Sequence, residues 1–129
     1  MSKMFSLNGL LAIDAITCAA MGVLLMVAAG PVAALTALPA SFLFWAGAVL
    51  LPIAAFMALS ARLRPVPAAA AGLVVLGNIG WVIASLLLPA LGFVTPNALG
   101  WIFLAAQAAV VAVLATLEAQ AMQRPALAA

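Results

Sequence analysis

Five side chains in this sequence place a hydrogen-bonding or ionisable group in an apolar setting: Asp14, Asn78, Trp81, Ser85 and Gln107. Asp14 lies within a long run of Leu, Ile and Ala. A carboxylate in such surroundings is costly and must turn inward, pair or take a proton. That chemistry is proton or cation coupling. The alternative is a carboxylate at headgroup level, reached by water and paired with Lys3 or a link arginine. Asn78 and Gln107 carry amides that need partners at low dielectric. Measured from the ends of their apolar runs, both lie at similar depth and can meet across an antiparallel helix pair. Trp81 is one turn from Asn78. Its indole N–H needs a partner inside the protein, and its ring either packs in the core or walls a pocket for an apolar or cationic ligand.

Helical spacing gathers these groups into stripes. Asp14 falls with Thr17, Cys18 and Met21; Asn78 with Trp81, Val82 and Ser85; Gln107 with Gly100, Val111, Leu114 and Glu118. Three such stripes can form an internal polar core. They serve either as an ion or ligand site or as glue between helices, worth about 0.6–2 kcal/mol per contact.

The elements that must position these groups follow from the placement of charge. The chain has four basic and two acidic residues, and none lies between Asp14 and Arg62 or between Arg64 and Glu118. A water-soluble surface needs far more charge than this. Apolar residues are 71% of the chain, and mean hydropathy is +1.44. The sequence therefore predicts an all-α integral membrane protein, an antiparallel four-helix transmembrane bundle forming a single domain over 1–129. A hydrocarbon core needs about 20 helical residues per crossing. Four blocks meet that length: 7–29, 39–61, 68–88 and 96–117. The first is too long for a signal-peptide core and contains Asp14, so it reads as a retained span.

Breakers separate the blocks. Gly30-Pro31 closes the first, Arg62 to Pro65 the second and Pro89 the third; Glu118 and a polar tail end the fourth. Thr95 is placed to cap the fourth helix with Pro96 in its first position, and Pro39 to start the second. Pro52 should kink the second span. Residues 32–38 read as a small apolar turn. Small residues at Cys18 and Gly22, Ala54 and Ala58, Gly77 and Gly80, and Gly80 and Ala84 allow close helix approach. Trp45 and Trp101 read as interfacial anchors.

Orientation follows from the basic residues. Lys3, Arg62, Arg64 and Arg124 fall on one side of a four-span chain and none on the other, which places both termini in the cytoplasm of a bacterial inner membrane. With no His and one Cys, the sequence carries no His-ligated zinc or haem site and no intramolecular disulfide. Cys18 has no His or Lys placed to activate it and reads as a small buried residue. The basic residues are not clustered as nucleic-acid binding requires.

The layout resembles a family of small, uncharacterised four-span bacterial inner-membrane proteins, through segments such as Ala29-Gly30-Pro31 and Asn78-Ile79-Gly80-Trp81. That resemblance implies the four-span fold and no activity. Asp14 in the first span and Trp81 in the third also resemble the membrane acid and aromatic wall of small multidrug-resistance transporters. The acid here is aspartate rather than glutamate, tyrosine is absent, and the basic flanks are one-sided.

The expected role is non-enzymatic: a structural, accessory or assembly subunit of a membrane complex, with no catalytic residues, cofactor or metal. The alternative is a small proton- or cation-coupled transporter or lipophile-binding protein using Asp14. Partners are membrane lipids and either a larger membrane complex or further copies of the chain.

Overall fold

A backbone in hydrocarbon has no water to bond, so long apolar runs close their hydrogen bonds internally as helices. The computed structural model describes residues 5–123 and contains five helices: α1 (Leu7–Val27), α2 (Ala29–Thr36), α3 (Ala40–Ala61), α4 (Ala68–Ala90) and α5 (Ala98–Met122). Four of them, α1, α3, α4 and α5, are long and apolar enough to cross a membrane. The described residues form no strand. The chain is an all-helical bundle of the kind an integral membrane protein uses.

The ends of the elements differ from the sequence reading in four places, the fourth being the end of α5, which runs on to Met122. Residues 32–38 are not a turn for most of their length but lie in the short helix α2. Gly30 and Pro31 fall inside its first turn, where a missing N–H costs little. The break sits earlier, at Ala28, because Pro31 cannot donate back to the Val27 carbonyl. The cap of α5 is Asn97 rather than Thr95: its Oδ1 accepts from the Gly100 backbone N–H at 2.9 Å. Helix α4 does not stop at Pro89, which is buried in its last turn. It ends in a Schellman motif, with Gly92 at φ +82°, Gly92 N–H donating to Pro89 O and Phe93 N–H donating to Leu88 O.

Helix α1 packs antiparallel along α3, and α4 along α5. The first pair meets backbone to backbone at two glycines. A Cβ built on Gly47 would stand 2.6 Å from the Gly22 carbonyl oxygen, and one on Gly22 would stand 2.9 Å from the Gly47 oxygen. Asn8 closes the far end of this pair by donating to Ala61 O at 2.7 Å and Leu63 O at 2.9 Å. These bonds satisfy carbonyls that the end of α3 would otherwise leave open. Gly77 and Gly80, by contrast, have nothing within 4 Å of a built Cβ. They lie on an exposed face of α4 and do not serve packing within this chain.

The two pairs join chiefly through α1 with α5, and through α2, which packs on both α3 and α5. Asn97 fastens that corner, with its backbone N–H on Thr36 O and its side chain on Leu35 O. Helices α3 and α4 scarcely touch, although only a short link separates them. The bundle is therefore a ring of helices with one open seam. Leu25, Leu38, Leu43, Leu50, Val94 and Leu104 pack together toward the α2 end. Leu11, Ala15, Met57 and Val74 pack toward the end carrying Arg62 and Arg64.

Many large apolar side chains face outward, among them Ile16, Leu59, Leu76, Ile102 and Val113. In water this surface would be untenable; against lipid tails it is the matching solvent. Trp45 and Trp101 are also exposed, near the α2 ends of α3 and α5.

Candidate functional site

Three buried polar side chains from three different helices meet at the centre of the bundle. Asp14 on α1 is 1% exposed and Glu118 on α5 is 0% exposed; Asn78 on α4 is also buried. One nitrogen links them: Asn78 Nδ2 donates to Asp14 Oδ2 at 2.8 Å and to Glu118 Oε1 at 3.0 Å. Asp14 Oδ1 accepts from the Cys18 thiol, one turn along α1, at 3.6 Å. The Asp14 and Glu118 carboxyl groups thus stand side by side on one shared donor. Glu118 Oε2 is buried and meets no donor among the described residues.

Helix geometry explains why these groups converge. Asp14 shares its inward stripe with Leu10, Leu11, Ala15 and Gly22, all buried against neighbouring helices. Glu118 falls on the buried stripe of α5 with Leu104, Ala108, Leu114 and Ala115. Asn78 lies on the α4 stripe with Ala71 and Val74. A carboxyl group on such a stripe faces the neighbouring helices rather than the lipid.

A second polar pair lies further along α4 and α5. Trp81 Nε1 donates to Gln107 Oε1 at 2.9 Å, and Gln107 Nε2 donates to Leu104 O at 3.0 Å. Ser85 donates to the Trp81 carbonyl at 2.7 Å, a bond within its own helix.

The sequence-predicted residues therefore form two clusters. Asp14 and Asn78 meet directly. Trp81 finds the internal partner its indole requires, and that partner is Gln107. The expected Asn78–Gln107 pairing does not form: Asn78 meets Glu118 instead. Ser85 adds no bond between helices. Of the two readings of Asp14, the structure shows the carboxylate turned into the bundle onto Asn78; Lys3, the partner in the other reading, lies outside the described residues. Glu118 was missed as a site residue. Read as the end of the fourth span, it instead stands one turn inside α5, which runs on to Met122. The available signal was its place on the stripe that steps from Gln107 to Val111, Leu114 and Glu118 at three- and four-residue intervals.

Two clefts reach this polar centre from the sides. One, of about 370 Å³, opens at the α3–α4 seam and is lined by Pro52, Phe56, Gly77, Trp81 and Asn78, with Cys18 at its floor. The other, of about 330 Å³, lies between α1 and α5 and is lined by Asp14, Met21, Trp81, Gln107 and Val110. Trp81 walls both. The arrangement can hold an apolar molecule against an aromatic ring, with an amide and buried carboxyl groups nearby. Among the described residues no three His, Cys, Asp or Glu side chains gather as a metal ion would need.

Comparison of the chain with protein-family models, with curated proteins and with solved structures finds no match, so what is established here is an all-helical bundle with four membrane-length helices around a buried Asp14–Asn78–Glu118 centre.

Proposed function

We propose that this chain is a non-enzymatic membrane protein that takes a lipophilic molecule from the bilayer into the cleft between α3 and α4. The observation that carries this reading is the seam itself. A bundle held together only for structure would close α3 on α4, since dispersion contacts between helices are the main force available in lipid. Here the gap is lined by Phe56, Pro52 and Trp81 and ends on the Asn78 amide. Small-molecule sites share this character, mostly apolar walls with a few placed polar groups. The bacterial inner membrane, with Arg62, Arg64 and both termini on the cytoplasmic side, is the setting that the one-sided basic residues favour.

Trp81 is the built-in reporter. With Trp45→Phe and Trp101→Phe, it becomes the only tryptophan. In bilayers whose acyl chains carry bromine, its fluorescence should be strongly quenched. Gly77→Phe, which fills the cleft, should relieve the quenching. Quenching that is weak, or unchanged by Gly77→Phe, would reject the cleft as a binding site.

A second reading is favoured by Gly77 and Gly80, which leave open space on an outward face of α4. On that reading the chain is an accessory or assembly subunit, and a helix of a larger membrane protein lies against these glycines. Gly80 is not part of the cleft lining. Gly80→Leu should therefore strip a partner from the protein in mild detergent while leaving the Trp81 signal intact. Recovery of wild type only as a monodisperse, partner-free monomer would count against the subunit reading.

A further inference from the structure

Hydrogen-bond counting at the buried centre yields an assignment that holds whether the seam receives a lipophile or a partner helix. A carboxylate is an acceptor only; a carboxylic acid is also a donor. Both Asp14 oxygens receive donors, Oδ2 from Asn78 and Oδ1 from Cys18. Glu118 receives one, on Oε1. Its Oε2 is buried without a donor, and its Oε1 shares the Asn78 nitrogen with Asp14 Oδ2, at 3.0 and 2.8 Å, which holds the two carboxyl groups side by side. Two ionised carboxylates cannot bond to each other, and in a low-dielectric interior their repulsion is at its strongest. A buried acceptor left bare is equally unfavourable. One proton resolves both problems by turning the bare oxygen into a donor.

We propose that Asp14 and Glu118 form a proton-binding site that holds one proton, carried on Glu118, with the Asn78 amide clamping both groups. The balance is simple. The proton comes from water reaching the site from the membrane surface; no other bond forms or breaks, and the pair carries a single negative charge. The groups facing the pair are Cys18 from α1 and Asn78 from α4. Helix α3 contributes no ionisable side chain, and Arg62 and Arg64 stand beyond its end in the link.

The site is also tied to the seam. Asn78 both clamps the pair and lines the α3–α4 cleft. A molecule that draws the Asn78 amide toward itself removes the donor the two acids share and so acts on the proton they hold.

The chain has one Asp and one Glu, so isotope labelling addresses each carboxyl group without mutation. Wild-type protein in bilayers at neutral pH, labelled with carboxyl-13C glutamate, should show the carbonyl stretch of a protonated acid, shifted relative to unlabelled protein. Label on aspartate should leave that band in place and shift the ionised carboxylate band instead. Both assignments should be the same in sodium and in potassium buffer. Absence of any protonated-acid band, or its appearance only under the aspartate label, overturns the proposal. So does a band abolished by sodium, which would make the occupant a metal cation. Glu118→Gln should eliminate the band. Because the labelled wild type gives the primary reading, a variant that misfolds does not blunt the test.

Discussion

Asn78 Nδ2 stands 2.8 Å from Asp14 Oδ2 and so joins α4 to α1, two helices whose other shared packing is the cluster of Val74 with Leu11, Ala15 and Met57. The bond runs diagonally across the bundle rather than along a packed helix pair. With the 3.0 Å contact to Glu118, it makes one amide the meeting point of three membrane-length helices. Most of the α4 attachment comes from α5.

Asn78→Ala should therefore be costly. It removes the donor from two buried carboxyl oxygens, a loss on the order of 2–3 kcal/mol. Denaturation in mixed micelles would measure it. A double-mutant cycle with Glu118→Gln should give a coupling of about 1 kcal/mol or more. Additive effects would mean that the two side chains do not share this bond.

The crossing of α1 and α3 makes a second prediction. A side chain at Gly47 would meet the Gly22 carbonyl oxygen, Leu25 and Met26. Gly47→Val should push the helices apart at a cost of at least about 1–3 kcal/mol, seen as a lower unfolding midpoint. Gly77→Ala offers the contrast: with open space around it, this change should leave monomer stability unchanged or raise it by about 1 kcal/mol. Equal effects at the two positions would contradict the packing.

At the other end, Asn97 both caps α5 and holds α2. Asn97→Ala should cost about 1 kcal/mol through the cap alone. Asn97→Ser, which retains an acceptor for the Gly100 N–H, should recover most of that loss. Hydrogen exchange at Gly100 would report the cap directly.

Topology is open to a labelling test. Arg64 and Thr95 are both exposed and lie at opposite ends of α4. With Cys18→Ser as background, a membrane-impermeant maleimide should reach Arg64→Cys only from the cytoplasmic side and Thr95→Cys only from the opposite side. Labelling of both from one side would break the four-crossing arrangement.

The number and placement of the long helices were legible because their signal is coarse: some twenty apolar residues between breakers. Pairing was less so. The need of Trp81 for an internal partner could be read from its indole, and the stripe containing Glu118 from its spacing. The partners themselves could not. Depth along one helix says nothing of how far that helix is shifted against its neighbour, and packing sets that shift. So Asn78, matched by depth to Gln107, lies beside Glu118. The close glycine pair was half visible: Gly22 reads as a small residue on α1, but Gly47 gains meaning only once α3 is laid against it. Asn8 gives no local signal, because the carbonyls it satisfies are far along the chain.

The close meeting of Gly22 and Gly47 also bears on how the protein is made. Synthesis from the N-terminus delivers α1 and α3 to the membrane first, and their contact needs nothing from the later helices. Asn8 can lock onto the end of α3 as soon as that end emerges. Asp14 then waits in the finished hairpin without its main donor, which arrives on the second hairpin as the Asn78 amide already bonded to Glu118. The last act of assembly thus brings the Asn78 amide to the buried Asp14, and a ribosome stalled before α4 would leave an inserted hairpin whose Asp14 lacks that donor.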